Sequence, residues 1–306
     1  MPHRASSVVS PSMSSASSPL FINELDGPSR RLLKARHHDV DKMEIQTNTL
    51  TAMLHSEAIK FTVYKLQIRS TARATDTGEW TLAKRYSEFF FFRQTLLKLF
   101  QRWDLQFRDD KKRVQCKEFA LATSLLLPSL EIPTFPRKHM RCDTEAIVKE
   151  RRRKLQHFVR KLLDAYTDIS VFLHDTQSRS SRNFNNLQEM QLLIEEFLDI
   201  PKEQKEINRR QTAAVLALED VVEDEQKADS SCRDRTCCIC LNDYDSDDDE
   251  PEVDELQSED RMVKLPCSHQ FHEDCVIDWF NTSTTCPLCR KPAFTEEQWT
   301  FDVSIN

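Results

Sequence analysis

Long apolar runs are missing from this chain of 306 residues. The longest apolar stretch, residues 119–127, ends at Pro128 and falls far short of the about 20 residues that a membrane-spanning helix needs. Residues 1–19 are rich in serine and contain no apolar core of the kind found in secretory signals. We therefore expect a cytoplasmic protein whose contact with membranes is peripheral.

Glycine is also scarce, and one of the two glycines, Gly78, lies in a turn signal at residues 76–79. Hydrophobic residues account for 39% of the chain and charged residues for 30%, so part of it is expected to be linker or disordered. The length fits two domains of ordinary size, and no internal repeat is visible.

Charge is distributed unevenly along the sequence. Residues 1–236 carry 39 basic and 33 acidic side chains, whereas residues 237–306 carry 4 and 17. The basic part could meet anionic phosphate or lipid, and the acidic part would avoid it. No nucleic-acid motif accompanies the basic residues, so we expect no nucleic-acid partner.

Eight cysteine and histidine residues fall in four closely spaced pairs near the C-terminus: Cys237, Cys240, Cys267, His269, His272, Cys275, Cys286 and Cys289. Four such ligands complete one closed tetrahedral zinc site, so eight predict two zinc ions. The other cysteines, Cys116, Cys142, Cys232 and Cys238, have no partner at a recognisable spacing, which suits a reducing compartment. Spacing alone does not decide which ligands share an ion, and a sequential grouping would join the first four.

This pattern resembles the RING finger in its two-histidine form, over about residues 234–293. The resemblance implies an interleaved cross-brace, in which folding and metal binding are one event. The first zinc ion would be held by Cys237, Cys240, His272 and Cys275, and the second by Cys267, His269, Cys286 and Cys289.

Four residues that are not ligands extend the resemblance: Ile239 and Pro287 lie inside C-x-x-C pairs, Trp279 follows Cys275 by four, and Arg290 follows Cys289. The resemblance implies that Ile239, Trp279 and Pro287 form an apolar surface for a ubiquitin-conjugating enzyme. Arg290 would bridge that enzyme and its bound ubiquitin. The implied activity is that of a RING-type ubiquitin ligase, which positions its partners and uses no side-chain nucleophile.

The front half contains alternating strand patterns at residues 61–68 and 80–85. Ser87 then looks like a helix N-cap, and the following helix has apolar residues at helical spacing, at Phe89, Phe92, Leu96 and Phe100. A later helix, capped by Asp143 or Thr144, is predicted to run to about Tyr166. Arg151 falls on its apolar stripe and therefore needs an anionic partner nearby.

The segment Trp80–Phe89, W-T-L-A-K-R-Y-S-E-F, resembles the signature of the PX (phox-homology) domain. Residues 132–138 resemble the proline loop of that family, and Arg151 stands four residues before Leu155 as the family has it. The resemblance covers about residues 40–200. It implies an α+β fold, with a three-stranded antiparallel sheet packed on a helical subdomain, followed here by the small zinc-binding RING domain.

The PX resemblance also implies a phosphoinositide site. Arg85 would bind the 3-phosphate, Tyr86 would stack under the inositol ring, Lys138 would meet the 1-phosphate and Arg151 the ring hydroxyls. The planar fork of arginine suits phosphate. These roles favour phosphatidylinositol 3-phosphate and a peripheral location on endosomal membranes. The simpler interpretation is that Arg85 and Arg151 form internal salt bridges and that Lys138 is a loop charge.

We predict the following organisation: a disordered serine-rich tail at 1–37, the PX domain at 38–200, a helical or flexible linker at 201–233, the RING at 234–293 with an acidic loop at 243–260, and a tail at 294–306. Helical spacing at 203–229 could form a short coiled coil and a homodimer, or a helix that packs on the PX domain. The segment 101–131 is longer than this link usually is in the family and could change how the domain reaches the bilayer. Phe294, Trp299 and Phe301 are predicted to cover the small RING core.

Two functional hypotheses remain. The first is a membrane-recruited RING-type ubiquitin ligase whose partners are a ubiquitin-conjugating enzyme, ubiquitin and membranes with phosphatidylinositol 3-phosphate. The alternative is a non-catalytic endosomal sorting or adaptor protein whose RING is a zinc-stabilised scaffold. The presence of Ile239, Trp279, Pro287 and Arg290 favours the ligase, because a scaffold would not need them.

Overall fold

The computed structural model describes seven segments of the chain: residues 25–53, 60–71, 78–139, 143–175, 182–221, 237–241 and 261–295. They form a mixed structure of helices and two small sheets. In the described segments, no helix combines the length and the apolarity that crossing a membrane would require. The predictions for Cys142, Cys232, Trp299, Phe301 and the acidic loop fall on residues outside these segments.

The first sheet has three antiparallel strands in sequence order: β1 at Met43–Met53, β2 at Lys60–Ser70 and β3 at Trp80–Arg85. Tyr64, Leu66 and Ile68 alternate along β2 and are fully buried. Leu66 pairs with Leu82 of β3. The predicted three-stranded antiparallel sheet is thus confirmed, and the alternation that predicted β2 and β3 reflects one face packed on the helices.

Helix α2, Tyr86–Asp104, follows β3 directly, and the four predicted core residues on it are all buried. The prediction of Ser87 as the N-cap was wrong, because the helix begins two residues earlier than that cap implies, with Arg85 as its N-cap. The carboxylate of Glu88 accepts a hydrogen bond from the backbone N–H of Arg85 at 2.7 Å, which satisfies a free donor at the helix end.

The long link after α2 contains two further helices, α3 at Asp110–Gln115 and α4 at Lys117–Leu130. Phe119 of α4 packs edge-on against Trp103 and Phe107, with ring centroids 5.3 and 5.2 Å apart. These contacts place α3 at the C-terminal end of α2. Since α2 has 19 residues, α3 lies about 28 Å along that helix from Tyr86.

Two antiparallel helices complete the front domain: α5 at Glu145–Asp175 and α6 at Arg182–Phe197. Helix α5 extends beyond the predicted end at Tyr166, because its apolar spacing continues through Ile169 and Phe172 without a glycine or proline. The ring of Phe197 stacks on Phe92 of α2 at 3.8 Å. Helix α6 therefore closes the core against the sheet-facing side of α2.

A helix precedes the sheet, α1 at Gly27–Asp41, where the sequence predicted a disordered tail up to residue 37. That prediction was wrong for residues 27–37. The carboxylate of Asp26 caps the helix by accepting from Ser29 N–H at 2.8 Å, and Pro28 lies in the first turn, where a missing donor does no harm. Leu32 and Leu33 on this helix are buried.

The predicted linker contains helix α7, Lys202–Leu216, followed by strand β4, Glu219–Asp220. Helix α7 ends well before residue 229, since the chain turns at Ala217 and Leu218 into β4. Ala214 and Val215 are buried in one apolar cluster with residues of α1 and the zinc domain. The apolar face of α7 is therefore covered within the chain, and the homodimer stays a prediction.

The second sheet joins β4 to β5, Met262–Lys264, and β6, Gln270–His272, all antiparallel. Helix α8, Glu273–Phe280, follows β6 without a break. Val263, Phe271 and Phe280 form a small core together with Phe294, which is partly buried against it as predicted. The third strand of this sheet thus comes from the segment predicted as linker.

Candidate functional sites

The eight predicted ligand side chains form two compact groups in the C-terminal part of the structure. Within each group, the sulfur and nitrogen atoms that could bind a metal lie within 4.8 Å of one another. One group comprises Cys237, Cys240, His272 and Cys275, and the other comprises Cys267, His269, Cys286 and Cys289. The grouping is therefore interleaved, and the sequential alternative is wrong.

Each group offers three thiols and one imidazole, a donor set that fits a closed tetrahedral zinc site. The Nδ1 atom of His272 lies 3.3 Å from Cys240 Sγ, and that of His269 lies 3.3 Å from Cys267 Sγ. Two zinc ions would thus be held, one linking the turn at 237–241 to the start of α8, the other linking the loop before β6 to the turn at 286–290.

Backbone N–H groups favour the thiolate form of some of these cysteines, which is the form that binds zinc. The pKa of Cys289 is lowered to about 7, chiefly by the backbone N–H of Lys291. At Cys237 burial acts to raise the pKa, but three backbone N–H groups outweigh it and lower the pKa. Burial raises the pKa of Cys275 to about 12, so this thiol is expected to lose its proton when a cation binds.

The two C-x-x-C turns have the same backbone geometry. Leu241 N–H donates to Cys237 O at 2.7 Å, and Arg290 N–H donates to Cys286 O at 2.9 Å. Leu241 and Arg290 have φ angles of 59° and 58°, in the left-handed region that favours glycine. Each costs about 1–2 kcal/mol of backbone energy, so the metal-binding turns need support from their surroundings.

The residues predicted to bind a conjugating enzyme are at least partly accessible. Ile239, Trp279 and Pro287 are half-buried, and Arg290 is exposed. The indole N–H of Trp279 donates to Thr285 O at 2.8 Å, which ties the ring to the segment next to Pro287. Leu241 and Leu288 are more exposed than any of the three apolar residues and extend the apolar surface at the two turns.

Basic residues of α1 and of its C-cap, Lys42, face acidic residues of α8, a relationship that the sequence did not predict. The pairs are Arg31 with Glu273, Lys34 with Asp274, and Lys42 with Asp278. Arg31 is buried, and its guanidinium also donates to Leu218 O at 3.1 Å and binds Asp220 of β4. The zinc domain is therefore attached to α1 by charged contacts along one side of α8.

A buried polar chain adds to this attachment. Gln211 of α7 accepts from Arg36 Nη1 at 2.9 Å and donates to Asn281 Oδ1 at 2.7 Å. Gln211 is fully buried, so losing either partner would leave an unpaired polar group. Helices α1, α7 and α8 are thus joined by polar groups that satisfy one another.

The front domain brings together three of the four predicted lipid-binding residues. Tyr86 Oη donates to Pro136 O of the proline loop at 2.9 Å. The guanidinium carbon of Arg151 lies 3.8 Å from the centre of the Tyr86 ring. Lys138 Nζ lies over Phe90, one turn after Tyr86 on α2. Tyr86, Lys138 and Arg151 therefore lie close together where α2, the proline loop and the start of α5 meet.

Arg85 precedes Tyr86 and is exposed, with its guanidinium 3.7 Å from the ring centre of Phe61 on β2. Among the described residues, neither Arg85 nor Lys138 forms an ion pair, so the internal salt bridge considered for Arg85 is not present there. For Arg151 it is present: Nη1 lies 2.6 Å from Asp143 Oδ1. The anionic partner predicted for the charge on the apolar stripe is thus Asp143.

Two buried polar groups lie side by side here, the Arg151 guanidinium and the Tyr64 phenol, and among the described residues Arg151 Nε and Tyr64 Oη have no further hydrogen-bond partner. Burial raises the pKa of Tyr64, and the nearby guanidinium of Arg151 only partly opposes this effect. Burial raises the pKa of Tyr86 in the same way. Both phenols are therefore neutral donors at physiological pH.

Two family models match the chain. The PX domain model matches residues 72–174, and the Ring finger domain model matches residues 235–290. The chain thus contains a PX domain followed by a RING-H2 type zinc finger. Strands β1 and β2 both lie before the matched PX segment and complete its sheet.

Similar proteins are known from several organisms. "E3 ubiquitin-protein ligase Iruka" of Drosophila melanogaster is 42% identical over 55 residues, 18% of this chain and 11% of that protein. "RING finger protein 122" of Homo sapiens is 30% identical over 71 residues, 23% of this chain and 38% of that protein. "E3 ubiquitin-protein ligase ATL4" of Arabidopsis thaliana is 38% identical over 69 residues, 22% of this chain and 17% of that protein.

The chain spans well under half the length of each of these three relatives. No solved structure matches it.

Proposed function

We propose that this chain is a RING-type ubiquitin ligase that a phosphoinositide recruits to membranes. The observation that carries the proposal is the pair of interleaved metal-binding groups with Ile239, Trp279, Pro287 and Arg290 accessible beside them. Two relatives, Iruka and ATL4, are named E3 ubiquitin-protein ligases, and this supports the same activity.

The proposed catalysis is positioning of two partners, and it needs no nucleophile from this chain. Zinc, when bound, supplies structural cross-links between the two turns and α8. The hydrogen bond from Trp279 to Thr285 O holds the indole in one orientation, so the docking surface is ordered before the conjugating enzyme arrives. Arg290 projects from a turn anchored at Cys286 and Cys289, where its exposed guanidinium could hydrogen-bond ubiquitin.

The proposed lipid is phosphatidylinositol 3-phosphate. Arg85 is exposed and has no ion pair among the described residues, so its planar fork is available for the dianionic 3-phosphate. The Tyr86 ring, which already carries the Arg151 guanidinium over one face, would contact the sugar together with that arginine, and Lys138 provides a second cation for the 1-phosphate. Binding of this lipid would place the chain peripherally on endosomal membranes.

Self-ubiquitination by the purified, zinc-loaded chain tests the proposed ligase activity. We expect products with at least one member of a broad panel of conjugating enzymes, and loss of products with Ile239→Ala or Trp279→Ala. A chain with two bound zinc ions that is inactive with the whole panel would favour the adaptor hypothesis. Arg290→Ala distinguishes the two functions further, because it should abolish ligation while zinc content and lipid binding persist.

A further inference from the structure

The carboxylate of Asp143 is located beside the guanidinium of Arg151, which in turn stacks on the Tyr86 ring. It lies 2.6 Å from Arg151 Nη1, at the residue two positions before α5 begins. The start of that helix is capped by Thr144, whose hydroxyl accepts from Ile147 N–H at 3.4 Å. Asp143 therefore does not serve as the helix cap, and its contact with Arg151 is its principal described interaction.

Arg151 is 3% exposed, and a guanidinium so deeply buried needs a counter-charge. Asp143 supplies it, and the resulting ion pair is close to neutral. A neutral ion pair suits the hydroxyl groups of a sugar ring and does not suit a second phosphate.

We propose that Asp143 determines which phosphoinositides this chain accepts, by excluding headgroups that carry a phosphate where the ring hydroxyls meet Arg151. This inference rests on the proposed lipid binding and deepens it. Asp143 pairs with Arg151 and, among the described residues, not with Arg85, so a 3-phosphate bound at Arg85 would not have to displace this carboxylate. A phosphate at ring position 4 or 5 would approach the guanidinium that Asp143 already occupies, and like charges at that separation repel.

The side chain of Asp143 is partly exposed, whereas Arg151 is almost fully enclosed. A second phosphate on the headgroup could reach Arg151 only by breaking this ion pair, and the displaced Asp143 carboxylate would still repel that phosphate. Ring hydroxyls carry no charge, so they can approach the ion pair without this repulsion. The selectivity therefore follows from a carboxylate that stays in place, and removing its charge should relax it.

Vesicle binding by the full, zinc-loaded chain tests this inference. The vesicles are phosphatidylcholine with equal molar fractions of phosphatidylinositol 3-phosphate, the 3,4-bisphosphate or the 3,5-bisphosphate. For the wild type we expect at least about a tenfold preference for the monophosphate, or ~1.4 kcal/mol. Asp143→Asn keeps the size of the side chain and removes the charge, and it should reduce the preference to about threefold or less.

Asp104→Asn is the matched control. Asp104 is also paired with an arginine, Arg113, but lies at the far end of α2 from Tyr86. This variant changes the net charge equally and should keep the wild-type preference. Asp143→Glu retains the charge and should also keep the wild-type lipid preference. This variant tests the inference even if Asp143→Asn unfolds.

The outcomes separate the inference from the proposed function. If the wild type prefers the monophosphate and Asp143→Asn keeps that preference, the inference is wrong and the lipid binding stands. Equal binding of all three lipids by the wild type, or loss of the preference in Asp143→Glu, would also overturn the inference alone. A wild-type chain that binds none of the phosphoinositide vesicles better than plain phosphatidylcholine overturns both.

Discussion

The guanidinium of Arg31 donates to the carboxylate of Glu273 at 2.9 Å, although 242 positions separate the two residues in the sequence. Glu273 begins α8 directly after the ligand His272, so Arg31 contacts the helix that also carries Cys275 and Trp279. An acidic residue in the first turn of a helix is favourable in itself. The helix before the PX sheet thus helps to hold the zinc domain in place.

Removing Arg31 should destabilise the zinc domain strongly. Arg31 is 2% exposed, and Arg31→Ala would leave Glu273 buried without its partner, at a cost of roughly 3–5 kcal/mol. Lys34→Ala removes a neighbouring pair that is exposed on both sides and should cost less than about 1 kcal/mol. Chemical unfolding followed by tryptophan fluorescence measures both, and equal effects of the two substitutions would contradict the proposed role of α1.

Metal content should distinguish cysteines that are adjacent in sequence. The wild type should bind two zinc ions per chain, and Cys237→Ser should lose at least one of them together with the fold of the domain. Cys238 is exposed and belongs to neither group, so Cys238→Ser should retain both ions. Elemental analysis after exhaustive dialysis gives the counts. Retention of both ions by Cys237→Ser would show that the grouping is incorrect.

Lipid binding should depend on Arg85 more than on other exposed arginines. Arg85→Ala removes a charge-assisted pair with the 3-phosphate, worth about 1.5–3 kcal/mol, so the affinity for vesicles with phosphatidylinositol 3-phosphate should fall at least about tenfold. Arg152→Ala removes the same charge from the exposed side of α5 and should change affinity by less than about threefold. Similar losses in both variants would mean that binding depends on net charge alone.

Stability should depend on pH through His37, which pairs with Asp168 between α1 and α5. Burial acts to lower the pKa of His37, but the hydrogen bond and charge of Asp168 outweigh it, so the pKa is raised above 6.5. Because the pKa is higher in the folded state, the contribution of the charged His37 to folding stability is fully present below the pKa of the unfolded state. It is lost as the pH rises through the pKa of the folded state. The loss of unfolding free energy in His37→Gln should therefore be larger at about pH 5.5 than at about pH 8.

His157 is a control of opposite sign for this experiment. Burial and the charge of Lys161 lower the pKa of His157. The stability that the neutral imidazole contributes to the folded state should therefore be lost as the pH falls. Urea unfolding of His37→Gln, His157→Gln and the wild type at both pH values provides the comparison. A pH-independent loss for His37→Gln would contradict the assignment of the charged pair.

Local patterns in the sequence predicted much of this structure. The alternation along β2 and the spacing of Phe89, Phe92 and Leu96 required only that one face of each element be buried. The need for an anionic partner of Arg151 was predicted from the cost of burying a charge, and Asp143, only eight residues away, supplies it. The interleaved metal grouping came from the family resemblance, because ligand spacing fits both arrangements.

Long-range pairing explains what the sequence did not predict. Helix α1 contains Arg31, Arg36, His37 and His38 among few apolar residues, so it resembles a polar tail. Its buried cations become favourable only through partners such as Gln211 and Glu273, which are far away in the chain. The positive φ of Leu241 and Arg290 is imposed by closing the turns around the ligand groups, and neither residue type indicates it.

Ubiquitin transfer on vesicles tests the central claim most directly. The zinc-loaded chain, a charged conjugating enzyme and a vesicle-anchored acceptor protein are combined with vesicles that contain or lack phosphatidylinositol 3-phosphate. We predict transfer at least about tenfold faster with the lipid, because recruitment raises the local concentration of the ligase, and loss of this gain in Arg85→Ala and of all transfer in Arg290→Ala. Transfer at the same rate on both kinds of vesicle, or undiminished transfer by Arg290→Ala, would contradict the account of a lipid-recruited RING ligase.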